Sequence, residues 1–204
     1  MTGKAPRVTV AITGASGAGY ALLLLKRLLT RGVTVHLMVS DAARVVLRQE
    51  ADLDLPDQPE QACRLLRSHL DAAGVGELRL HPLDDWMAPP ASGSAGITRM
   101  VVVPCSMGTL ARIACGTAQT LIERAADVML KERRRLILVP RETPLSAVHL
   151  EQMRNLDRMG VVILPAMPGF YHRPQSIDDL FAFVVDRIMD QLGLPCAEAL
   201  RWGD

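Results

Sequence analysis

Hydrophobic positions along the chain alternate between short continuous runs and helical spacing. The continuous runs predict strands at residues 8–12, 33–39, 77–81, 100–104, 136–140 and 161–165. Helical spacing predicts helices at residues 21–29, 41–52, 60–73, 120–131, 147–159 and 177–192, with another opening at residue 106. Strands that alternate with helices form parallel sheets covered on both faces. We therefore expect one α/β domain over residues 1–204, Rossmann-like or flavodoxin-like, with helices on both faces and a tail at about 193–204.

A glycine-rich turn follows the first predicted strand. Gly14, Gly17 and Gly19 precede a leucine-rich helix, so free N–H groups at that helix N-terminus predict an anion site. The spacing GxxGxG differs from the dinucleotide GxGxxG, and the second strand ends in Ser40 instead of an acid. A P-loop would need Lys where Tyr20 stands. A nucleotide with one phosphate fits best, and a tight turn that binds nothing is the alternative.

Two further strand exits carry polar groups. Ser106, Gly108 and Thr109 open a helix after the fourth strand, at the edge of the sheet where α/β proteins bind ligands. Arg141 and Glu142 directly follow the fifth strand. We interpret both stretches as functional; Ser106 could also be a plain N-cap, and Arg141 and Glu142 could form a structural salt bridge.

Composition narrows the class of protein. The net charge of +1 argues against nucleic acid or an acidic membrane as partner. The first residues contain no apolar signal segment and no apolar run approaches the roughly 20 residues of a membrane span. Four widely separated cysteines without a CxxC pair indicate free thiols. We therefore expect a cytoplasmic protein without a metal site.

The few aromatic residues are placed unevenly. Phe181 and Phe183 fall on the last predicted helix, where core packing explains them. Trp86, in the long polar loop at 82–96, and Tyr171 lie in predicted loops, as do Phe170 and, in the tail, Trp202. Such flat surfaces could face a ring, a cation or another subunit. The long loop itself is interpreted as a binding loop or lid.

Several motifs resemble those of the UbiX-type flavin prenyltransferases, in the superfamily of flavin-binding cysteine-decarboxylase-like folds. They are TGASGAGY, DWMAPPASGS, PCSMGTLARIACG, TLIERAADVMLKERR, LVPRETPLSAVHL, ILPAMPGFYHRPQS and RWG, in family order from about residue 8 to 202. The resemblance implies that reduced FMN and dimethylallyl monophosphate react at flavin N5 and then C6, without metal. The product, prenylated FMN, would serve a UbiD-type decarboxylase, as in ubiquinone biosynthesis. It further implies a homo-oligomer, a dodecamer, with FMN at a subunit interface.

The resemblance also assigns residues to roles. It implies an FMN shell of Gly14, Ala15, Ser16, Ser40, Ser106, Met107, Gly108, Thr109 and Arg141. It implies a prenyl-phosphate shell of Arg124, Lys131, Arg141, Glu142, Tyr171 and Arg187, with Trp86 and Trp202 facing the allylic cation. The catalytic set is Ser16 and Glu50 for proton movement, Glu142 for the departing phosphate, and Lys131 and Tyr171 to hold it. Glu50 otherwise lies near a predicted helix C-terminus, which disfavours an acid. Arg124 and Lys131 could instead be surface charges, Arg187 a helix ion pair and Trp202 an interface residue.

Two rival functions stay open at this point. A flavin-dependent decarboxylase of peptidyl or pantothenoyl cysteine would share the fold, but that branch relies on a histidine in the helix at 41–52, which has none. A flavin carrier without catalysis would have no use for Lys131, Arg187 and Tyr171 beside the flavin.

Overall fold

A computed structural model describes residues 5–72 and 75–196 of the chain. Its strands are β1 (Arg7–Ile12), β2 (Thr34–Val39), β3 (Leu78–Leu80), β4 (Arg99–Cys105), β5 (Arg135–Pro140) and β6 (Val162–Ile163). Its helices are α1 (Ala18–Thr30), α2 (Asp41–Ala51), α3 (Pro59–His69), α4 (Met107–Ala114), α5 (Leu121–Lys131), α6 (Ala147–Arg158) and α7 (Ile177–Gln191). Every predicted strand and helix is therefore present.

The strands form one parallel sheet in the order β3-β2-β1-β4-β5-β6. This is the doubly wound Rossmann order, in which the strand order reverses between β1 and β4. The predicted fold class is confirmed. In such sheets ligands bind beyond the carboxyl ends of the strands at the reversal point. The turns that follow β1 and β4 therefore define where the site is expected.

Helices cover both faces of the sheet. Side chains of α1, α2, α3 and α7 pack against one face, which includes Val10 and Val101. Those of α4, α5 and α6 pack against the other, which includes Met100 and Val102. Because adjacent residues of β4 are buried on opposite faces, the strand reads as a continuous apolar run.

Differences from the prediction are confined to element ends. Helix α1 begins at Ala18 instead of residue 21, because Gly17 adopts φ 119° and turns the chain directly into the helix. Strand β6 is shorter than predicted, although the N–H groups of Leu164 and Ala166 continue the bonding to β5. Helix α3 begins at Pro59 and ends at His69, where Leu70 is the C-cap, so it is shorter than the helix predicted at 60–73. The predicted tail extends beyond the described residues.

The long loop between β3 and β4 is fastened to α5. Its second half forms two short 3-10 turns, Pro89–Ala91 and Gly93–Ala95. Arg134 donates to the carbonyls of Gly93 at 2.8 Å and Ile97 at 3.0 Å. A run of basic residues at 131–135 would usually be a solvated helix end, but in the structure its Arg134 holds the loop through these two hydrogen bonds.

No helix within residues 5–72 and 75–196 combines the length and hydropathy needed to cross a bilayer. The four cysteines, Cys63, Cys105, Cys115 and Cys196, are free.

Candidate functional site

The first turn of the site lies between β1 and α1. A Cβ on Gly14 would lie 2.4 Å from the Cβ of Ala42 in α2, so the close packing of the turn requires glycine there. Position 17 requires glycine because its backbone φ is positive. Both glycines are thus explained by the protein's own conformation and packing, before any ligand is considered.

The N-terminus of α1 is occupied by a carboxylate of the chain itself. Glu50 Oε2 accepts hydrogen bonds from the N–H groups of Gly17 and Ala18, both at 2.9 Å. The expectation that these first N–H groups are free for an anionic ligand is therefore wrong. The favourable position also corrects the view of Glu50 as a misplaced acid at the end of α2, because its carboxylate reaches the positive end of the neighbouring helix.

Glu50 is joined there by Ser16 and Arg141. The Arg141 Nε donates to the Ser16 carbonyl at 3.1 Å. Partial burial opposes ionisation of Glu50, but hydrogen bonds from the Ser16 side chain and from the Ala18 and Gly17 N–H groups outweigh it. Together with the Arg141 charge they lower the pKa of Glu50 below its ordinary value. The structure thus brings three predicted site residues into one cluster with an ionised carboxylate.

The second turn of the site lies between β4 and α4. Ser106 is the N-cap of α4, and its Oγ accepts from the Thr109 N–H at 3.3 Å. Among the described residues nothing accepts from the N–H groups of Met107 and Gly108, which are the first two donors of the helix. Gly108 is exposed, whereas Met107 is buried.

The helices that directly follow β1, β2 and β4 begin at this edge of the sheet, and their N-termini differ in charge. The N-terminus of α1 is closed by Glu50. Helix α2, capped by Ser40 at 3.1 Å from the Ala43 N–H, carries Asp41 in its first turn. Helix α4 has no acid in its first turn. Since a helix N-terminus attracts anions, α4 offers the most favourable place for a phosphate.

An ion pair with a buried carboxylate stabilises the first turn of α4. Arg112 donates to Thr109 Oγ1 at 3.1 Å and to Glu123 Oε1 at 2.7 Å. Glu123 is buried, which opposes its ionisation, but hydrogen bonds from Thr120 and Arg112 outweigh the burial and lower its pKa. Sequence reasoning missed this network, although Glu123 stands three residues after Thr120 as in a capping box.

The predicted prenyl-phosphate residues of α5 make ordinary local contacts. Arg124 donates to the Ala91 carbonyl at 3.1 Å and to Asp127 at 2.8 Å. Lys131 pairs with Glu132 at 2.7 Å. These are the surface contacts that the plain interpretation expects, and they leave the predicted ligand role open.

The remaining predicted residues follow β5. Glu142 accepts from the Thr143 N–H at 3.1 Å. Within residues 5–72 and 75–196 no ion pair joins Arg141 to Glu142, so the salt-bridge alternative is wrong. Trp86 is half-exposed, and Trp202 lies outside the described residues.

An aromatic cluster supports Tyr171. The Tyr171 ring meets Phe183 edge-on, with centroids 5.7 Å apart, and His172 stacks on Phe183 at 5.3 Å. Phe183 is thus more than the core residue that its helical position suggests. Arg187, one turn further along α7, pairs with Asp190 at 3.3 Å.

Within the described ranges no three His, Cys, Asp or Glu side chains are grouped as a metal site would require.

Comparison with known proteins places the chain in a family. Residues 2–189 match the flavoprotein family. The flavin prenyltransferase UbiX of Pseudomonas aeruginosa is 52% identical over 198 residues, which cover 97% of this chain and 94% of the relative.

Two solved structures are similar over nearly their full length. AnUbiX, solved in complex with FMN and dimethylallyl pyrophosphate, has a TM-score of 0.86 and 41% identity, with 98% of this chain and 99% of that chain covered. A dodecameric FMN-dependent UbiX-like decarboxylase from Escherichia coli has a TM-score of 0.85 and 40% identity, with 97% and 100% covered. The chain therefore belongs to the flavoprotein family and, within it, to the UbiX-type flavin prenyltransferases.

Proposed function

We propose that this protein transfers the dimethylallyl group of dimethylallyl monophosphate to reduced FMN, first at N5 and then at C6, and so makes prenylated FMN. The observation that carries this proposal is the 41% identity, over 98% of the chain, to AnUbiX holding FMN and a dimethylallyl donor. FMN is a substrate in this reaction. The expected product leaves the enzyme for use elsewhere, and a UbiD-type decarboxylase is the proposed recipient.

The flavin phosphate is assigned to the N-terminus of α4. The donors are the hydroxyl of Ser106 and the N–H groups of Met107 and Gly108, for which the described part of the chain offers no acceptor. Ser16 adjoins this place from the turn after β1 and Arg141 from the end of β5, where its N–H donates to the Cys105 carbonyl, and both belong to the same shell. The ionised Glu50 at the N-terminus of α1 disfavours a second phosphate there, which fits a mononucleotide better than a dinucleotide.

Assembly is proposed to complete the prenyl-phosphate shell. Arg124 contacts Ala91 in the loop and Lys131 pairs with Glu132, whereas Tyr171 meets Phe183 of α7 and Arg187 pairs with Asp190 on the same helix. Large apolar side chains are exposed on α6 and between β6 and the start of α7, among them Val148, Leu150, Met167, Phe170 and Ile177. Such a surface is typical of a protein interface, and one similar protein is dodecameric. We therefore propose a dodecamer.

Sedimentation velocity tests the assembly directly. We expect a single large species whose mass is a multiple of the 22.2 kDa chain and reaches twelve copies. A monomer that binds one FMN per chain would contradict both the dodecamer and a site shared between subunits.

Mass spectrometry of the flavin tests the reaction. The protein is incubated without oxygen with reduced FMN and dimethylallyl monophosphate, and the extracted flavin is expected to be heavier by one prenyl unit. A parallel reaction with dimethylallyl pyrophosphate asks whether the donor seen in AnUbiX is also used. Omission of the donor is the control.

The alternatives give different readouts in the same experiment. A cysteine decarboxylase would leave the flavin mass unchanged and release carbon dioxide from a cysteine-containing substrate. A flavin carrier would return unmodified FMN under every condition. Unchanged flavin mass with both donors would reject the proposed function.

A further inference from the structure

Thr13 connects the two turns of the site. Its side chain is buried, only 1% exposed, between the ends of β1 and β4. The hydroxyl Oγ1 donates to the Pro104 carbonyl at 2.9 Å and accepts from the Ser106 N–H at 2.8 Å. The Thr13 N–H also donates to the Pro104 carbonyl, at 3.2 Å. One side chain therefore spans the reversal point of the sheet, and its partners lie 91 and 93 positions further along the chain.

The contact with Ser106 holds the N-cap residue of α4. Ser106 is held at its N–H by Thr13, and its own Oγ then accepts from the Thr109 N–H. The free donors of Met107 and Gly108 lie between these two fixed residues. A rotation of the backbone at Ser106 would therefore change the directions in which the Met107 and Gly108 N–H groups point.

A buried threonine hydroxyl in this strand does not need such partners. Thr9, four residues earlier in β1, is fully buried, and its Oγ1 has no hydrogen-bond partner among the described residues. The fold thus tolerates an unpaired threonine hydroxyl in β1. The two contacts of Thr13 are specific to the end of the strand, where the site is located.

We propose that Thr13 is a positioning residue for FMN, which holds Ser106 so that the first N–H groups of α4 converge on the flavin phosphate. The inference rests on the proposed function, since that function assigns FMN to this turn. Thr13 acts through Ser106 and takes no part in the transfer of the prenyl group.

Replacement of Thr13 by valine tests the role, because valine has nearly the same shape but can neither donate nor accept. We expect Thr13→Val to weaken FMN binding about tenfold, since the Ser106 N–H loses its buried partner. At saturating FMN, kcat and the KM for the prenyl donor are expected to change by less than about twofold, because Thr13 acts only through Ser106, which belongs to the FMN shell and not to the prenyl-phosphate shell. Thr13→Ser, which keeps the hydroxyl, is expected to restore FMN binding.

Thr9→Val is the matched control, because it removes a buried hydroxyl from the same strand without breaking a hydrogen bond. We expect FMN affinity in this variant to equal that of the wild type. Equal FMN affinity in Thr13→Val and wild type would overturn the proposal, as would an equal loss in Thr13→Ser and Thr13→Val. If Thr13→Val does not fold, FMN affinity is compared between Thr13→Ser, which keeps the hydroxyl, and Thr13→Ala, which removes it.

Failure of the proposed function is recognised separately. If the wild-type protein does not bind FMN in the same titration, the assignment of FMN to the site is wrong, whatever the variants do. If the wild type binds FMN and prenylates it but Thr13→Val behaves identically, only the positioning role is rejected.

Discussion

Replacing Arg141 with alanine is expected to weaken FMN binding about ten- to a hundredfold, the usual cost of a charge-assisted hydrogen bond to a phosphate. Arg141 follows β5 at the ligand edge and already donates to the Ser16 carbonyl. It also lies close enough to Glu50 to lower the pKa of that carboxyl. Its loss therefore removes a cation from the FMN shell and loosens the turn after β1. A fluorescence titration of FMN measures the change in dissociation constant.

Two arginines serve as controls for this result. Arg187→Ala is expected to spare FMN and to raise only the KM for the prenyl donor, since Arg187 lies on α7 beside Asp190. Arg135→Ala removes a guanidinium from the opposite end of β5, and we expect it to leave both the FMN affinity and the KM for the prenyl donor unchanged. Arg141→Lys should recover part of the affinity, because it keeps the charge but not the planar donor geometry. Equal loss of FMN from Arg141→Ala and Arg187→Ala would refute this division of roles.

The features that could be predicted from the sequence are those that depend on residues close to one another along the chain. The sheet was readable because both faces are covered by helices, which makes the strands continuous apolar runs. Ser106 was readable as an N-cap because it precedes α4 by one residue. The exposure of Trp86 and Tyr171 followed from their place in loops.

The contacts that shape the site connect distant parts of the chain. Glu50 reaches Gly17 across 33 residues, and Arg141 reaches Ser16 across 125. Thr13 could be read only as the end of a strand, because its partners at 104 and 106 belong to β4 and the turn after it. Parallel strand order places these groups together, and no local pattern states which acid or hydroxyl will meet which backbone group.

The position of Glu50 also shows why a glycine turn can mislead. The motif predicts free N–H groups at α1, and it is correct about the turn and the helix. The ligand of those N–H groups is a side chain from α2, which the motif does not include. We therefore assign the phosphate to another helix, α4, whose first two N–H groups have no acceptor among the described residues.

The Glu50→Gln variant is expected to bind FMN and to form the N5-alkylated flavin, but to slow closure onto C6 about a hundredfold or more. In closure the alkene of the N5 adduct takes up one proton, the resulting tertiary carbocation forms the bond to C6, and C6 then loses its own proton. The ionised Glu50, hydrogen-bonded by the Ser16 side chain, is the proposed acceptor of the C6 proton. Glutamine keeps an oxygen that can accept from the N–H groups of Gly17 and Ala18, so α1 stays capped. Rapid-quench mass spectrometry and absorbance spectra distinguish the open from the cyclised product.

Glu50→Ala separates capping from proton transfer, because it removes the oxygen as well as the charge. We expect a lower melting temperature in Glu50→Ala than in Glu50→Gln, since only alanine leaves the two N–H groups of α1 without an acceptor. In the wild type the lowered pKa keeps Glu50 ionised as the pH falls from about 7 to about 5, so ring closure should persist over that range. Cyclised flavin formed at the wild-type rate by Glu50→Gln would confine Glu50 to capping α1. The released phosphate would then be the remaining acceptor for the C6 proton.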